Sequence, residues 1–299
     1  MSALLDLFAC PACQRRLERD GDALRCTCGS RHPIVRGVPR FVPDDGYVGS
    51  FSFEWNTHDT TQLDSKRGDS MTADTLRAKT GLTEADLRGK LVLDAGLGSG
   101  RFSEVLAGLG ARVIGVDLSL AVEAARKNLG DRDDVIVAQA DIGRLPFLRE
   151  TFDVIVSIGV LHHTPDTRKH FEALVPLLKP GGTIAIWVYP DEGDYQTRNH
   201  WIPWTNKLPP RLFYEWCRWF VRVMQKRRGS RLQSLIARLF PYSRQSYGAE
   251  NDVLDLFDGY SPRYHGIHSP DQVLGWFRDA DLIDLWSGPA HTSVRGRKP

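Results

Sequence analysis

Apolar residues fall into two alternating patterns from residue 90 onward. Short continuous apolar runs, typical of strands covered on both faces, alternate with segments whose apolar residues recur every three or four positions, as in amphipathic helices. The runs predict strands over residues 91–94, 112–117, 135–139, 152–159 and 183–189. Strands that alternate with helices in this way indicate an α/β fold built on a mostly parallel sheet.

The helix before the fifth strand has the clearest predicted boundaries. Thr164 is its expected N-cap, and Pro165 lies in its first turn. Its end is predicted at the Lys-Pro-Gly-Gly segment over residues 179–182. Four apolar positions follow helical spacing and should form its buried side: Phe171, Leu174, Val175 and Leu178.

The alternation stops at residue 190 and resumes after residue 261. The aromatic and basic interval between them is predicted to be a helical cap over the sheet edge where a substrate must enter. Beyond the cap, Ser269 and Gln272 form a capping box that opens a helix. Two terminal strands are expected near residues 283–287 and 292–297. The apolar side of this last helix should comprise Val273, Leu274, Phe277 and Ala280.

Size, charge and cysteine content narrow the class of protein. At 299 residues the chain can hold one large domain and one small one. Its net charge of +2 is too small to indicate binding to nucleic acid or membranes by overall electrostatic attraction. No apolar run is long enough to span a bilayer, and the N-terminal residues lack the features of a secretion signal. Four of the five cysteines lie between Cys10 and Cys28. Such clustering suits a metal site in a reducing compartment, so we expect a cytoplasmic protein.

A glycine-rich bend follows the first predicted strand, at Gly96, Gly98 and Gly100. Glycine allows a sharp turn and lets a ligand lie against the backbone. A tight strand-to-helix turn without a ligand is the alternative. Two acidic residues after later strands favour a nucleoside, since Asp117 could accept both ribose hydroxyls and Asp141 could accept from an adenine amino group. Taken alone, Asp141 is equally well explained as an exposed loop residue.

The spacing of the glycines in this bend distinguishes a site for a sulfonium ligand from a site for a dinucleotide. A dinucleotide loop has a third glycine that packs helix against strand, and Arg101 occupies that position here. Asp94 precedes the loop, where it would repel phosphate but would suit the ammonium group of a methionine, directly or through water.

Five segments in order resemble the class I S-adenosylmethionine-dependent methyltransferases: LDAGLGSGRF, GVDLS, ADIGRLPF, FDVIVSIGVLHHTPD and LKPGG. The resemblance implies a Rossmann-like, seven-stranded, mostly parallel sheet whose last strand is antiparallel, with S-adenosylmethionine as cofactor. Leu97 stands where these proteins often have Cys, and only its backbone is expected to matter. The implied cofactor contacts are Asp94, Gly96, Leu97, Gly98 and Gly100 for the methionine part, Asp117 for the ribose, Leu118, Asp141 and Ile142 for the adenine, and Ser157 near the methionine.

The N-terminal cysteines have the spacing of a zinc site. Cys10 and Cys13 form a C-x₂-C pair, and Cys26 and Cys28 form a tighter C-x-C pair. Four thiolates can bind Zn²⁺ tetrahedrally in a structural role, with His32 as a spare candidate and metal-free thiols as the alternative. This segment resembles the small zinc-ribbon proteins that partner and stabilise methyltransferases. It also resembles the zinc heads of certain ribosomal RNA guanine methyltransferases.

The cap contains a basic amphipathic segment. Between residues 211 and 244 there are nine Lys or Arg residues against one acid, Glu215. The segment could bind a peripheral lipid surface, RNA or an anionic substrate, but packing of its apolar side on the domain is the preferred interpretation. Cys217 is expected in the core. The predicted apolar side comprises Leu212, Phe213, Trp216, Phe220, Val223 and Met224.

Candidates for a general base lie after the fourth strand and in or near the cap: His162, His163, His200, Tyr189 and Tyr195. The histidine pair belongs to the GVLHH string of the methyltransferases, in which it is often architectural. Segment 51–58 is expected to close over the cofactor, although simple packing explains Trp55 equally well.

We predict methyl transfer to a small-molecule acceptor, such as a natural product, a sugar or a lipid-linked precursor. An RNA base methyltransferase is the first alternative, suggested by the cysteine head and the basic cap. No Asn/Asp-Pro-Pro-Tyr string follows the fourth strand, which disfavours the common amino-methylating nucleic-acid enzymes. A non-catalytic scaffold that binds cofactor and a protein partner is the second alternative.

The predicted organisation has four parts. Residues 1–45 form a zinc-ribbon head, and residues 46–89 form a connector and cofactor lid. Residues 90–189 and 262–299 form the S-adenosylmethionine-binding domain, interrupted by the cap over residues 190–261.

Overall fold

The computed structural model describes residues 3–44, 46–227, 229–242 and 248–299, so Arg228 and Arg244 of the basic segment lie outside the described residues. After a 3₁₀ turn over Ala3–Leu7, the cysteine head forms a small antiparallel sheet. Its strands are β1 (Glu18–Asp20), β2 (Ala23–Arg25), β3 (Arg31–Val35) and β4 (Val38–Pro39). The predicted connector is helical, with α1 (Gly49–Thr57), α2 (Asp64–Arg67), α3 (Met71–Thr80) and α4 (Glu84–Leu87).

The alternating part of the chain forms the strands and helices of the main domain. They are β5 (Leu91–Ala95), α5 (Arg101–Gly108), β6 (Arg112–Asp117), α6 (Ala121–Leu129), β7 (Val135–Gln139), β8 (Phe152–Ile158), α7 (Thr167–Leu174) and β9 (Leu178–Trp187). The cap follows as α8 (Asp194–Thr205), α9 (Pro210–Lys226), α10 (Arg231–Leu239) and α11 (Ala249–Tyr260). The chain then forms α12 (Pro270–Asp279), β10 (Ile283–Ser287) and β11 (Ser293–Arg297).

The large sheet has seven strands in the order β10-β11-β9-β8-β5-β6-β7. Within the described residues, β11 alone runs antiparallel to its neighbours, between β9 and β10. The remaining pairs are parallel. This topology confirms the predicted Rossmann-like α/β fold, and it places the ends of β5, β6, β7 and β8 at one edge of the sheet. Of the helices in the described parts of the chain, none is both long and apolar enough to cross a membrane.

The boundaries of α7 correct the prediction. The helix begins at Thr167, because Asp166 is the N-cap and accepts a hydrogen bond from the Lys169 backbone N–H at 3.1 Å. Thr164 instead donates its hydroxyl to the Leu161 carbonyl at 2.6 Å. The helix ends at Leu174, before Pro176, which lacks a backbone N–H for the helical ladder. β9 therefore begins at residue 178, and the predicted helical position there belongs to the sheet.

The capping box before α12 is confirmed. The Ser269 hydroxyl accepts from the Gln272 backbone N–H at 3.2 Å, and the Gln272 side chain accepts from the Ser269 N–H at 3.1 Å. Val273 and Phe277 are fully buried in the same core as the sheet, and Leu274 and Ala280 pack against it.

The head packs directly on the main domain. Phe8 stacks on Phe147 and on Phe41, each at a ring-centroid distance of 5.2 Å. The Phe41 backbone N–H donates to the Gln139 carbonyl at 2.8 Å, at the end of β7. Because the apolar residues of the head belong to the same buried cluster as those of the sheet, head and sheet share one core.

The buried side of α9 differs from the predicted one. Phe213, Phe220 and Met224 are buried as expected, but Leu212 and Trp216 are exposed. The helix packs on α11, and its buried side also includes Cys217 and Val221. The buried side is therefore rotated around the helix axis relative to the predicted one. Cys217 is fully buried, which confirms its place in the core.

Candidate active site

A cavity of about 420 Å³ lies at the carboxyl edge of the large sheet, between α1, α3 and the cap helices α8 and α11. This volume falls in the range of about 300–1,000 Å³ that is usual for small-molecule sites. The loops after β5, β6 and β7 meet at one end of the cavity. From the predicted cofactor set, the lining contains Gly96, Leu97, Gly98, Asp117, Leu118, Asp141 and Ile142.

The glycine bend is held open by backbone conformation and by close neighbours. Gly96 has a φ of 96°, and a β-carbon there would lie 2.3 Å from the side chain of Val160. Gly98 has a φ of 53°, and a β-carbon there would lie 3.4 Å from the ring of Trp55. A β-carbon at Gly96 would overlap Val160, and the positive φ at both positions favours glycine, so the bare backbone of this bend forms the wall of the cavity.

Asp117 and Asp141 are both oriented by hydrogen bonds that leave acceptor capacity free. Asp117 accepts from the Gly98 N–H at 3.0 Å, and from the N–H and hydroxyl of Ser119 at 2.8 and 2.6 Å. Burial raises the pKa of Asp117, and these hydrogen bonds oppose the rise. Asp141 accepts from the Gly143 N–H at 2.8 Å. A carboxylate offers about four lone-pair sites, so each can still accept from a ligand.

Three residues of the predicted cofactor set lie outside the cavity lining. Asp94 is buried behind the loop and accepts from the Ser103 hydroxyl at 2.7 Å; burial raises its pKa to about 6, against the lowering effect of that hydrogen bond. Ser157 donates to the Ala95 carbonyl at 2.8 Å. A β-carbon on Gly100 would face Leu129 at 3.0 Å. Their side chains or α-carbons point into the protein, and their contacts with a cofactor, direct or through water for Asp94, stay a prediction.

The cavity is also lined by ionisable residues that no sequence motif marked. Glu54 of α1 is fully buried, and its pKa is raised well above the usual value by burial and by the nearby Asp258 and Asp255. The ammonium of Lys79 lies 3.0 Å from the ring centroid of Trp187. Burial and Arg101 lower the pKa of Lys79 well below its usual value. These positions lie on helices distant in sequence, and no local motif marks them.

His163 is the candidate base with the most suitable surroundings. Its Nδ1 lies 3.0 Å from the Tyr264 carbonyl, which can only accept, so Nδ1 bears the proton. Its Nε2 is buried and has no hydrogen-bond partner among the described residues. Burial lowers the pKa of His163, against a raising effect of Asp258, and the side chain lines the cavity. The neutral ring therefore presents an unprotonated nitrogen.

The structure places the other predicted bases less favourably. His162 is fully buried, stacks on Tyr189 at 3.7 Å between ring centroids and lies outside the cavity lining. Tyr189 lines the cavity, but its hydroxyl donates to Asp258 at 3.1 Å, and burial raises its pKa well above the usual value. Burial likewise raises the pKa of Tyr195, which also lines the cavity. His200 is exposed on α8 and does not reach the cavity.

The four head cysteines come together as the spacing predicts. Their sulfur atoms all lie within 4.8 Å of one another, with Cys13 and Cys26 3.3 Å apart and Cys10 and Cys28 3.7 Å apart. Tetrahedral zinc with bonds of about 2.3 Å requires sulfur separations of about 3.8 Å, so the thiol set fits the ion. His32 is not part of this cluster, because its ring packs on Phe41 at a centroid distance of 4.8 Å.

Comparison with known proteins identifies the central part of the chain. Residues 93–186 match a family described as a methyltransferase domain. The chain is 40% identical over 111 residues to a ubiquinone biosynthesis O-methyltransferase from Thiobacillus denitrificans, a match that covers 36% of this chain and 46% of that protein. It is 36% identical over 118 residues to a tRNA U34 carboxymethyltransferase from Klebsiella pneumoniae, covering 38% of this chain and 35% of that protein. The chain thus spans less than half the length of either relative.

One solved structure is similar over most of the chain. It is a complex between the Haloferax volcanii Trm112 methyltransferase activator and a methyltransferase. The match has a TM-score of 0.50 and 18% identity, and it covers 84% of this chain and 97% of that one. At this identity the similarity concerns the fold alone.

Proposed function

We propose that this chain, whose residues 93–186 form a methyltransferase domain of the S-adenosylmethionine-dependent type, methylates a small-molecule acceptor. One observation supports this proposal above the others. A single cavity is lined both by the nucleoside-type acceptors Asp117 and Asp141 and by His163, whose Nε2 is unprotonated. The cap helices α8 and α11 line the same cavity, and we take the part that they line as the acceptor end; its position beneath the cap favours a small acceptor over an extended polymer.

The residues around the cavity suit S-adenosylmethionine. Asp117 would hold the ribose, Asp141 and the Ile142 backbone would hold the adenine edge, and the Gly96–Gly98 backbone would lie along the methionine part. We assign the methionine carboxylate to the guanidinium of Arg101 and to a hydrogen bond from the Lys79 amine, since both residues line the cavity. When bound, the cofactor supplies a methyl group already activated on a sulfonium. The chain then contributes mainly alignment and exclusion of water.

The acceptor end suits a molecule with a hydroxyl or amino group. Tyr195 and Arg198 of α8 and Asp258 of α11 line this end, so it offers aromatic surface together with both signs of charge. The Nε2 atom of His163 would take the proton that such a group releases on methylation. Tyr189, kept neutral by burial and held by Asp258, would act as a hydrogen-bond donor and not as a base.

The cysteine head has a structural role in this proposal. Cys10, Cys13, Cys26 and Cys28 would hold Zn²⁺ with all four positions occupied by protein, which leaves none for catalysis. The head touches the adenine side of the site, because the Arg144 guanidinium donates to the Pro11 carbonyl at 3.2 Å. A correctly folded head would thereby support the loop that contains Asp141 and Ile142.

Substitution of His163 tests the proposed base. His163→Gln should lower kcat by about 10²–10⁴-fold while the calorimetric Kd for S-adenosylmethionine stays within a few-fold of wild type. His200→Gln, at an exposed position on α8, is the control histidine and should keep the wild-type kcat. Because burial lowers the pKa of His163, kcat/KM of the wild type should fall only as the pH drops through that lowered value. The variant lacks the titrating ring and should not show this fall at acidic pH. A wild-type kcat in His163→Gln would contradict the assignment.

Methylation of RNA is the second candidate, favoured by the basic cap and by the name of the Klebsiella relative. Incubation with methyl-labelled S-adenosylmethionine, in one reaction with metabolite extract and in another with total RNA, separates the two. The small-molecule proposal expects label in the extract, and label only in RNA would contradict it. A non-catalytic scaffold would bind the cofactor and transfer no label in either reaction.

A further inference from the structure

The cap exposes large apolar side chains on one side of three helices. We name as the cap face Trp204 of α8, Leu212, Trp216 and Trp219 of α9, and Leu235 and Leu239 of α10. Trp204 is 72% exposed, Leu212 68% and Trp219 59%. Isolated exposed apolar residues are ordinary, but several on neighbouring helices form a patch that usually marks an interaction site.

Contacts between the three helices place them side by side next to these exposed side chains. The Trp201 indole, one turn before Trp204 on α8, donates to the Leu239 carbonyl at 2.7 Å. Phe240 contacts both Trp201 and Trp216, at ring-centroid distances of 5.6 and 5.3 Å. The exposed positions on α9 repeat at helical spacing beside the buried stripe, so the helix has a second apolar stripe that the protein itself does not cover.

Cations border this apolar surface. Arg222 and Lys226 of α9 and Arg231 and Arg238 of α10 are exposed, and none forms an ion pair with a described residue. On the same helices Glu215 is the one acid, and it pairs with Arg218 at 3.1 Å. The surface therefore combines tryptophan and leucine with unneutralised positive charge.

We propose that the cap face docks on an anionic lipid bilayer surface. Tryptophan prefers the headgroup level, leucine gains from contact with acyl chains, and each flanking Lys or Arg adds about 1 kcal/mol near an anionic leaflet. RNA fits less well, because exposed leucines offer neither a stacking plane nor a hydrogen bond. A symmetric contact with a second copy would set the same uncompensated cations against each other.

The location of this surface links it to the cavity. α8 contains Trp204 on the cap face and Tyr195 and Arg198 in the cavity lining. Docking of the cap face would hold the acceptor end of the cavity close to the bilayer. The docking itself goes beyond the proposed methyl transfer and does not depend on it, so it can be measured on the full chain without cofactor.

Co-sedimentation with vesicles tests the proposal. The full chain should bind vesicles of phosphatidylcholine mixed with phosphatidylglycerol, bind phosphatidylcholine alone much more weakly, and lose binding as salt rises. Arg222→Gln with Lys226→Gln should weaken partitioning about 30-fold, and Trp204→Ala with Trp219→Ala should weaken it at least about 10-fold. These positions are exposed, and circular dichroism will confirm that the variants fold.

Matched controls change exposed residues outside the cap. Ile283→Ala removes an exposed apolar side chain from β10, and Arg149→Gln with Arg278→Gln removes two exposed cations; all should bind as wild type does. Absence of binding to anionic vesicles would overturn the proposal. So would vesicle binding that both cap variants retain, salt-sensitive RNA binding without vesicle binding, or a dimer that the tryptophan variant alone dissociates.

Discussion

Asp117 is held in place by three hydrogen bonds before any ligand binds. Two come from Ser119, immediately after the strand, and one comes from Gly98 in the glycine bend. The carboxylate and the glycine loop therefore fix each other's positions. A residue predicted from the sequence as a ribose ligand is thus also a brace for the glycine bend.

Substitution of Asp117 should weaken cofactor binding more than folding. Asp117→Ala is expected to cost about 1–3 kcal/mol of S-adenosylmethionine binding free energy, because charge-assisted hydrogen bonds are lost. Isothermal titration calorimetry measures this change. Asp131→Ala, on a side chain that is 93% exposed, is the control and should leave the Kd unchanged. An unaltered Kd in Asp117→Ala would reject the site as assigned.

At the scale of elements, α1 shows how a polar connector becomes part of the site. The Ser52 hydroxyl accepts from the Leu120 N–H at 2.9 Å, and Asn56 donates to the Leu120 carbonyl at 3.1 Å. These bonds fasten α1 to the loop after β6, so that Phe51, Glu54 and Trp55 line the cavity. This placement supports the proposed role of segment 51–58 as a wall over the cofactor.

The carboxyl group of Glu54 should make stability depend on pH in a defined direction. Its pKa in the folded chain lies well above the usual 4.5, so the folded state retains a proton that the unfolded state releases. That contribution is present below pH 4.5 and is lost as the pH rises from there. Glu54→Gln removes the titration, and its unfolding free energy relative to wild type should therefore increase with pH.

Urea unfolding of wild type and Glu54→Gln across this pH range measures the difference directly. Other titrating groups cancel because both proteins contain them. Glu84→Gln, which alters an exposed carboxyl paired with Arg88, is the control and should show a nearly constant difference. A constant difference for Glu54→Gln as well would mean that folding does not raise the pKa of this carboxyl.

At the scale of the whole molecule, the head and the main domain share one packed core, so we expect them to unfold as one cooperative unit. Phe8, Leu24 and Cys26 belong to the buried cluster that includes Phe147 and Ile155 of the main domain. The local structure changes near residue 45, where the end of the head was predicted. The buried cluster nevertheless includes residues of both the head and the main domain. Loss of the head should therefore lower the unfolding free energy of the main domain as well.

Removal of zinc tests this coupling. A chelator should release one ion per chain and lower the unfolding free energy by at least about 3 kcal/mol, since structural zinc binding contributes directly to folding. Calorimetry should show one transition that shifts as a whole. Cys217→Ser, a buried thiol outside the cluster, should keep its zinc. A separate transition at lower temperature, with the main unfolding transition unchanged, would show that the head unfolds independently.

Much of the fold follows from local pattern. The apolar runs predicted five strands of the sheet, the terminal pair and the capping box of α12, because each depends on neighbouring residues. The cysteine spacing likewise predicted a thiol cluster. The N-cap of α7 was wrong because Thr164, Asp166 and Thr167 are all plausible caps, and the backbone around Pro165 selects Asp166.

The sequence by itself determined the sheet, the glycine bend with Asp117 and Asp141, and the four-thiol set, since these are encoded by periodicity and short spacing. Only the tertiary structure decided that Asp94 and Ser157 lie outside the cavity lining, that His163 lines the cavity while His162 does not, and that Glu54 and Lys79 line it as well. The physical reason is that burial, tautomer and charge environment depend on contacts between distant segments. A side chain's direction on a helix can be predicted, but the surface it meets there cannot.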